Sequence, residues 1–225
     1  MQDFTDLPPG AKRRWRTFVA WLDLIFVDHG MFRLVYMNEH EIAPGVFRSA
    51  QPNPRDIARL ARRGFKTIIN LRGRRTAGEY WLEKAACARH GIKLIDFTVT
   101  SRDAPDKAWI PQAKAIFEAS EKPLLMHCKS GADRAGLMSV LYIHLAEGVP
   151  IDEARAQLSL RYGHIRQGRT GILDKFFDDY LVYARKHALS FTDWVANVYD
   201  RSKLRRRFRS SYWADVLVDK ILRRE

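Results

Sequence analysis

The run LLMHCKSGADRAGLMSVLYIH, Leu124 to His144, gathers the groups most able to do chemistry. Cys128 follows a short apolar run, opens a loop punctuated by Gly131, and stands six residues before Arg134. If PLLMH is a strand and the run from Arg134 a helix, Cys128 to Asp133 form a tight loop at a helix N-terminus. Main-chain N–H groups gather inward at such a turn and the helix dipole favours negative charge, so the loop is expected to cradle an oxyanion. Gly131 suits a backbone that needs positive φ or close approach to a ligand. A thiol in that field is expected to ionise well below its ordinary pKa of about 8.5. Arg134 offers a planar, two-pronged donor to phosphate oxygens. Thiolate, amide ring and guanidinium together describe phosphoryl transfer to sulfur, a reaction that requires no metal and no cofactor.

The elements that must position this loop read as alternating strands and helices. VFRSAQP is a short strand entering a turn, and Pro54 opens a helix, PRDIARLARRG, that Gly64 closes. KTIINL is β-branched and strand-like. TAGEYWLEKAACARHG is a helix ending in glycine before the strand IKLIDF. DKAWIPQAKAIFEAS is helical, with Pro111 expected to delay its start. RAGLMSVLYIHLAEG, IDEARAQLSLRYG and GILDKFFDDYLVYARKH complete a helical set. This order predicts an α/β fold with a central, mostly parallel sheet flanked by helices, and ligands at the carboxyl ends of the strands. Three segments are expected: an N-terminal basic amphipathic helical segment over 1–40, a catalytic domain over 41–189, and a basic aromatic helical tail over 190–225.

The totals narrow the partners. The 225 residues carry 39 Lys and Arg against 26 Asp and Glu, a formal charge of +13 that favours polyanionic partners. With 46% apolar residues a sizeable core is available. Only two cysteines occur, Cys87 and Cys128, too few for a disulfide framework, so a reducing, cytoplasmic setting is expected. Cys87, inside a helical run, reads as a small core hydrophobe. The stretch TFVAWLDLIFV superficially resembles a signal peptide, but Asp23 interrupts it and no small-x-small site follows, so it reads as retained.

HCKSGADRAG resembles the HCxxGxxR signature of the cysteine-dependent protein tyrosine and dual-specificity phosphatases. The resemblance covers roughly Val46 to His187, and FRSAQP and TIINLRG look like entry segments of the bacterial dual-specificity-like branch. It implies that Cys128 forms a phosphocysteine which water hydrolyses. Arg134 would bind the phosphate with the loop Lys129, Ser130, Gly131, Ala132 and Asp133, while His127 orients the loop and tunes the thiol. Where the family usually places Ser or Thr after the arginine, this chain has Ala135. Breakdown of the phosphoenzyme is then expected to be slow unless Ser130 or Ser139 substitutes, which keeps a phosphate-binding module with little turnover as a reading of another class. The leaving oxygen needs an acid. Asp103, in RDAP on the loop after IKLIDF, matches the family's acid loop and ranks first. Asp133, directly before the arginine as in the myotubularin lipid phosphatases, ranks second. Asp106 reads as an N-cap, and Asp96 sits near a strand end.

Lys129 follows the nucleophile as in phosphoinositide and mitochondrial lipid phosphatases reading HCKAG. A shallow pocket lined by Lys129, Arg72 or Arg74 would suit a lipid, and a deep aromatic slot phosphotyrosine. The ends interleave basic and aromatic residues: Lys12, Arg13, Arg14 and Arg16 with Trp15, Phe18 and Trp21, and Phe191, Trp194, Val195, Val198 and Tyr199 before the LRRRFR cluster. Such segments suit an anionic lipid surface; nucleic acid is set aside because no recognised fold for it appears. The leading expectation is a phosphatase peripheral on the inner membrane face, acting on a lipid headgroup such as phosphatidylglycerophosphate. A phosphotyrosine or dual-specificity protein phosphatase is the alternative.

Overall fold

The computed structural model describes residues 10–22 and 37–209. Five strands form one sheet: β1 (His40–Ala43), β2 (Val46–Ala50), β3 (Thr67–Asn70), β4 (Lys93–Asp96) and β5 (Leu124–Cys128), in the order β1-β2-β5-β3-β4. Only β1 runs antiparallel; β2, β5, β3 and β4 are mutually parallel, as the sequence order predicts. Every residue of β3 and β5 is buried, the mark of parallel strands covered on both faces. Successive side chains alternate between two cores. Ile69, Leu124 and Met126 face the larger one, whereas Ile68 and Leu125 face a smaller one.

The helices are α1 (Ala11–Leu22), α2 (Pro54–Arg62), α3 (Gly78–His90), α4 (Trp109–Glu118), α5 (Asp133–Leu145), α6 (Ile151–Ala154), α7 (Ile172–Ala184) and α8 (Phe191–Asn197), with a further helical stretch over 201–209. α2 begins on a capping box, Asn53 accepting from the Asp56 amide and Asp56 from the Asn53 amide, with Pro54 in the first turn. Its α2 residues Ile57 and Leu60 join Cys87 of α3 in the smaller core, where burial pushes the Cys87 thiol well up. Cys87 is thus the inert core residue its helical setting predicts. Pro111 falls within the first turn of α4, which starts at Trp109 rather than earlier. The α1 helix packs Ala20 on Tyr80, Trp81 and Leu82 of α3.

Two expectations change. IDEARAQLSLRYG is not one helix: after α6 the chain makes two short 3-10 turns, Arg155–Gln157 and Leu160–Tyr162. At the other end, Phe191, Trp194, Val195, Tyr199 and Leu204 are buried in the larger core around Phe176, so this aromatic face packs on protein, while Val198 is exposed. The rest of the expected basic aromatic tail, residues 210–225, and the end of TFVAWLDLIFV beyond Leu22 lie outside the described residues. No helix among the described residues is long and apolar enough to cross a membrane.

Candidate active site

Strand register brings the chemistry to one edge. Ala50 pairs with Cys128, and Asn70 with both His127 and Asp96, so the loops after β2, β3, β4 and β5 all leave the carboxyl edge of the sheet. Cys128 ends β5, 2% exposed, and α5 begins at Asp133. Between them, four consecutive carbonyls are held from outside the turn. The Gln51 amide donates to Lys129 O at 3.4 Å, and Asn38 Nδ2 to Ser130 O at 3.0 Å. Arg48 Nη2 donates to Gly131 O at 2.7 Å and to Ala132 O at 2.8 Å. A planar trans peptide points its N–H opposite its C=O. Pinning these carbonyls outward therefore turns the amides of Ser130, Gly131, Ala132 and Asp133 to the inner side, where none has a partner among the described residues. Gly131 makes the turn possible at φ +76°. The Arg134 guanidinium, half-buried in the first turn of α5, likewise has no partner among the described residues.

Arg48 is fully buried and also reaches Gln157 O at 2.7 Å, with its guanidinium 4.1 Å over the Tyr162 ring. Burial pulls its pKa down to about 10, opposed first by its electrostatic interaction with Cys128. Next to Cys128, His127 Nε2 lies 2.5 Å from Glu83 Oε1 with both side chains fully buried, close but not aligned as a hydrogen bond. Glu83 in turn accepts from Gln51 Nε2 at 2.8 Å, Gln51 accepts from Arg72, and Arg72 pairs with Glu79 at 3.1 Å. This chain of contacts occupies Arg72, only 6% exposed, and removes it from the substrate wall to which a lipid reading assigned it; Arg74 is exposed.

The acid candidates separate by their partners. Asp103 accepts from Arg205 Nε at 2.7 Å, from Arg201 Nη2 at 3.1 Å and from the Ala104 amide at 2.8 Å. Burial pushes its carboxyl up, but Arg205, the Ala104 amide and Arg201 together outweigh it and hold the carboxyl below its usual range. Asp133 accepts from His164 Nδ1 at 2.7 Å, and His164 Nε2 bonds Asp174 at 2.7 Å. Burial opposes charge on His164, yet its two carboxylate hydrogen bonds raise it to about 9, so the ring is an imidazolium between two carboxylates. Asp96 is tied to Asn70 and to the Tyr80 hydroxyl. Asp106 accepts from the Ala108 amide at 3.0 Å in the turn before α4 and pairs with Arg201, but it is not the N-cap expected: that position is Ala108, and no side chain caps α4. Of the two hydroxyls near Ala135, Ser139 is excluded: it is fully buried and donates to Ala135 O at 2.7 Å. Ser130 is exposed on the rim.

Residues 32–169 match the family model described as the DSP-PTPase phosphatase fused to NAD+ kinase. The chain belongs to this dual-specificity phosphatase family. Among the relatives of this chain, the dual specificity protein phosphatase TpbA of Pseudomonas aeruginosa is 29% identical over 114 residues, which are 50% of the chain and 49% of the relative. The chain thus spans about half the length of the curated relatives it matches. Two solved structures share the fold: P. aeruginosa TpbA (TM-score 0.51, 23% identity, 67% of this chain and 92% of that one) and Tk-PTP in the active form (TM-score 0.51, 19% identity, 63% and 97%).

The supports of the phosphatase loop were less visible in sequence than the loop itself. Arg48 stands inside FRSAQP, and a basic residue in the middle of a short apolar strand was the one signal that it is buried for a purpose. Gln51 lies in the same FRSAQP run, whereas Asn38, Glu83 and His164 carry no motif at all. Each takes part in a contact 31 or more positions away in the chain: Asn38 with Ser130, Glu83 with Gln51, and His164 with Asp133.

Proposed function

We propose that this phosphatase hydrolyses phosphomonoesters through a phosphocysteine at Cys128, on a lipid headgroup such as phosphatidylglycerophosphate presented at an anionic membrane surface. The observation that carries the chemistry is the set of four outward-pinned carbonyls, which leaves four amides to meet the oxygens of a tetrahedral phosphate. Cys128 Sγ attacks phosphorus, the bond to the leaving oxygen breaks, and an aspartic acid protonates that oxygen; Asp103 is the first candidate and Asp133 the second. Water then attacks the phosphocysteine, releasing inorganic phosphate and regenerating the thiolate. Arg134 binds the equatorial oxygens throughout.

The membrane part of the reading is supported by α1. Its Trp15 and Phe18 are 65% and 52% exposed and lie 5.8 Å apart, beside exposed Lys12 and Arg14. Aromatic and basic side chains on one exposed helix suit the headgroup layer of an anionic bilayer. A protein substrate is the second reading, favoured by the relative named as a dual specificity protein phosphatase.

Aryl phosphate hydrolysis by wild type against Cys128→Ser tests the chemistry, and equal rates would end it. Phosphate release from phospholipid monoesters and from phosphopeptides tests the substrate. Sedimentation with phosphatidylglycerol vesicles, wild type against Trp15→Ala/Phe18→Ala, tests the surface. Preference for peptides without vesicle binding would assign the enzyme to proteins instead.

A further inference from the structure

The loop that follows β4 and the helical stretch over 201–209 enclose a cavity of about 400 Å³ whose wall is mostly arginine. Arg102, Arg169, Arg205 and Arg209 line it, against a single acid, Asp103. Asp103 is bonded to Arg205 and Arg201, so its charge is already answered. Arg102 and Arg169 are exposed and make no hydrogen bond or ion pair among the described residues. Guanidinium groups gathered around one hollow repel one another, and an anion within it would relieve that repulsion while accepting planar donors from several sides. Ile172 and Phe208 complete the wall and give it an apolar side.

The cavity is separate from the Cys128 loop, none of whose residues line it. It borders Asp103, on the loop that leaves the same carboxyl edge of the sheet as Cys128. We propose that this cavity is a second anion site, which receives a phosphate or phosphodiester group while the scissile phosphate occupies the Cys128 loop. Its substrate would then carry two phosphate groups. That pairing rests on the phosphatase reading, whereas the anion site itself does not. The apolar wall favours a group with hydrocarbon attached over a bare ion.

Calorimetric titration of the full chain tests this with two probes, inorganic phosphate and the diester of a short-chain phosphatidylglycerol below its micellar concentration. Three proteins are compared: wild type, Arg134→Ala, and Arg102→Ala/Arg169→Ala. Wild type is expected to take up two equivalents of phosphate, and each variant one. The double variant is expected to lose cavity affinity by about tenfold or more at low ionic strength, since it removes two charged donors. Diester binding retained by Arg134→Ala but lost by the double variant identifies a lipid headgroup as the occupant; phosphate binding with the same pattern and no diester binding identifies a free phosphate group. A titration in which Arg102→Ala/Arg169→Ala matches wild type with both probes overturns the site. Arg134→Ala matching wild type would instead count against the Cys128 loop, so the two failures are distinguishable. Both replaced arginines are exposed and make no ion pair among the described residues, so an unchanged melting profile is expected and is the folding control.

Discussion

At Gly131 two independent constraints meet. Its φ is +76°, where an L side chain costs about 1–2 kcal/mol, and an added Cβ would lie 2.7 Å from Ala50 N and from Ser49 C. Those atoms belong to β2, held against β5 by the sheet, so the loop rather than the strand must give way. Gly131→Ala is therefore expected to lower kcat/KM on an aryl phosphate by about a hundredfold, the cost of a displacement near 1 Å in a preorganised site. The accompanying loss of melting temperature should be only several degrees; a variant with wild-type kcat/KM would show that the loop tolerates the shift. Arg48 supplies the opposite kind of constraint, attraction rather than exclusion. Its fork meets Gly131 O, Ala132 O and Gln157 O at once, a geometry that the point charge of lysine cannot reproduce. Arg48→Lys keeps the charge yet leaves at least one buried carbonyl unmet, at about 1–3 kcal/mol. Denaturant unfolding should record that loss, together with weaker inorganic phosphate binding. If phosphate affinity were unchanged, the carbonyls would not be what aims the amides.

Among the elements, α5 must be anchored at its first residue, because the loop ends there. His164 does this by joining Asp133 to Asp174 near the start of α7. Its folded pKa of about 9 stands above the model-peptide value of 6.5, so its contribution to stability is full below pH 6.5 and disappears as pH rises through about 9. The shift corresponds to roughly 3 kcal/mol. The midpoint of urea unfolding should accordingly fall between pH 7 and pH 10 in wild type and change much less in His164→Asn; parallel curves would remove His164 from this role. The elements themselves were largely legible. The β-branched run of β3, the short apolar run of β5 and the glycine stops of α2 and α3 place these elements nearly to the residue, because local propensity and burial agree there. The segment 151–162 was not. Ile151, Ala154, Leu158 and Tyr162 are all buried at helical spacing, yet Gln157 O is taken by Arg48 and Leu158 leaves the helical region at φ −99° and ψ 81°. A long-range hydrogen bond overrides a local pattern, and single-sequence periodicity carries no trace of it.

Across the whole molecule, the end of the described chain returns to the loop that bears Asp103. Tyr199 donates its hydroxyl to Pro105 O at 2.8 Å, Arg201 donates to Ala104 O at 2.9 Å, and Arg201 and Arg205 hold the Asp103 carboxylate. Composition suggests a basic aromatic tail for lipid, but Trp194 and Tyr199 fill the core around Phe176, and three of the arginines, Arg201, Arg205 and Arg207, are bound to Asp103 or Asp179. This closing contact bears directly on acid catalysis. A proton donor must be protonated when the leaving oxygen departs, and the arginines favour the ionised form of Asp103. If Asp103 is the donor, turnover of an alkyl phosphate, which needs that proton, should fall about a hundredfold or more in Asp103→Asn, while a nitrophenyl ester with its good leaving group is largely spared. Arg205→Gln should then raise the Asp103 pKa toward the ordinary carboxylate range and move upward the pH at which alkyl phosphate turnover declines. Rate profiles of both variants against Asp133→Asn decide between the two acids. Loss of the alkyl-selective effect in Asp103→Asn, with its appearance in Asp133→Asn, would transfer the role to the aspartate that His164 holds.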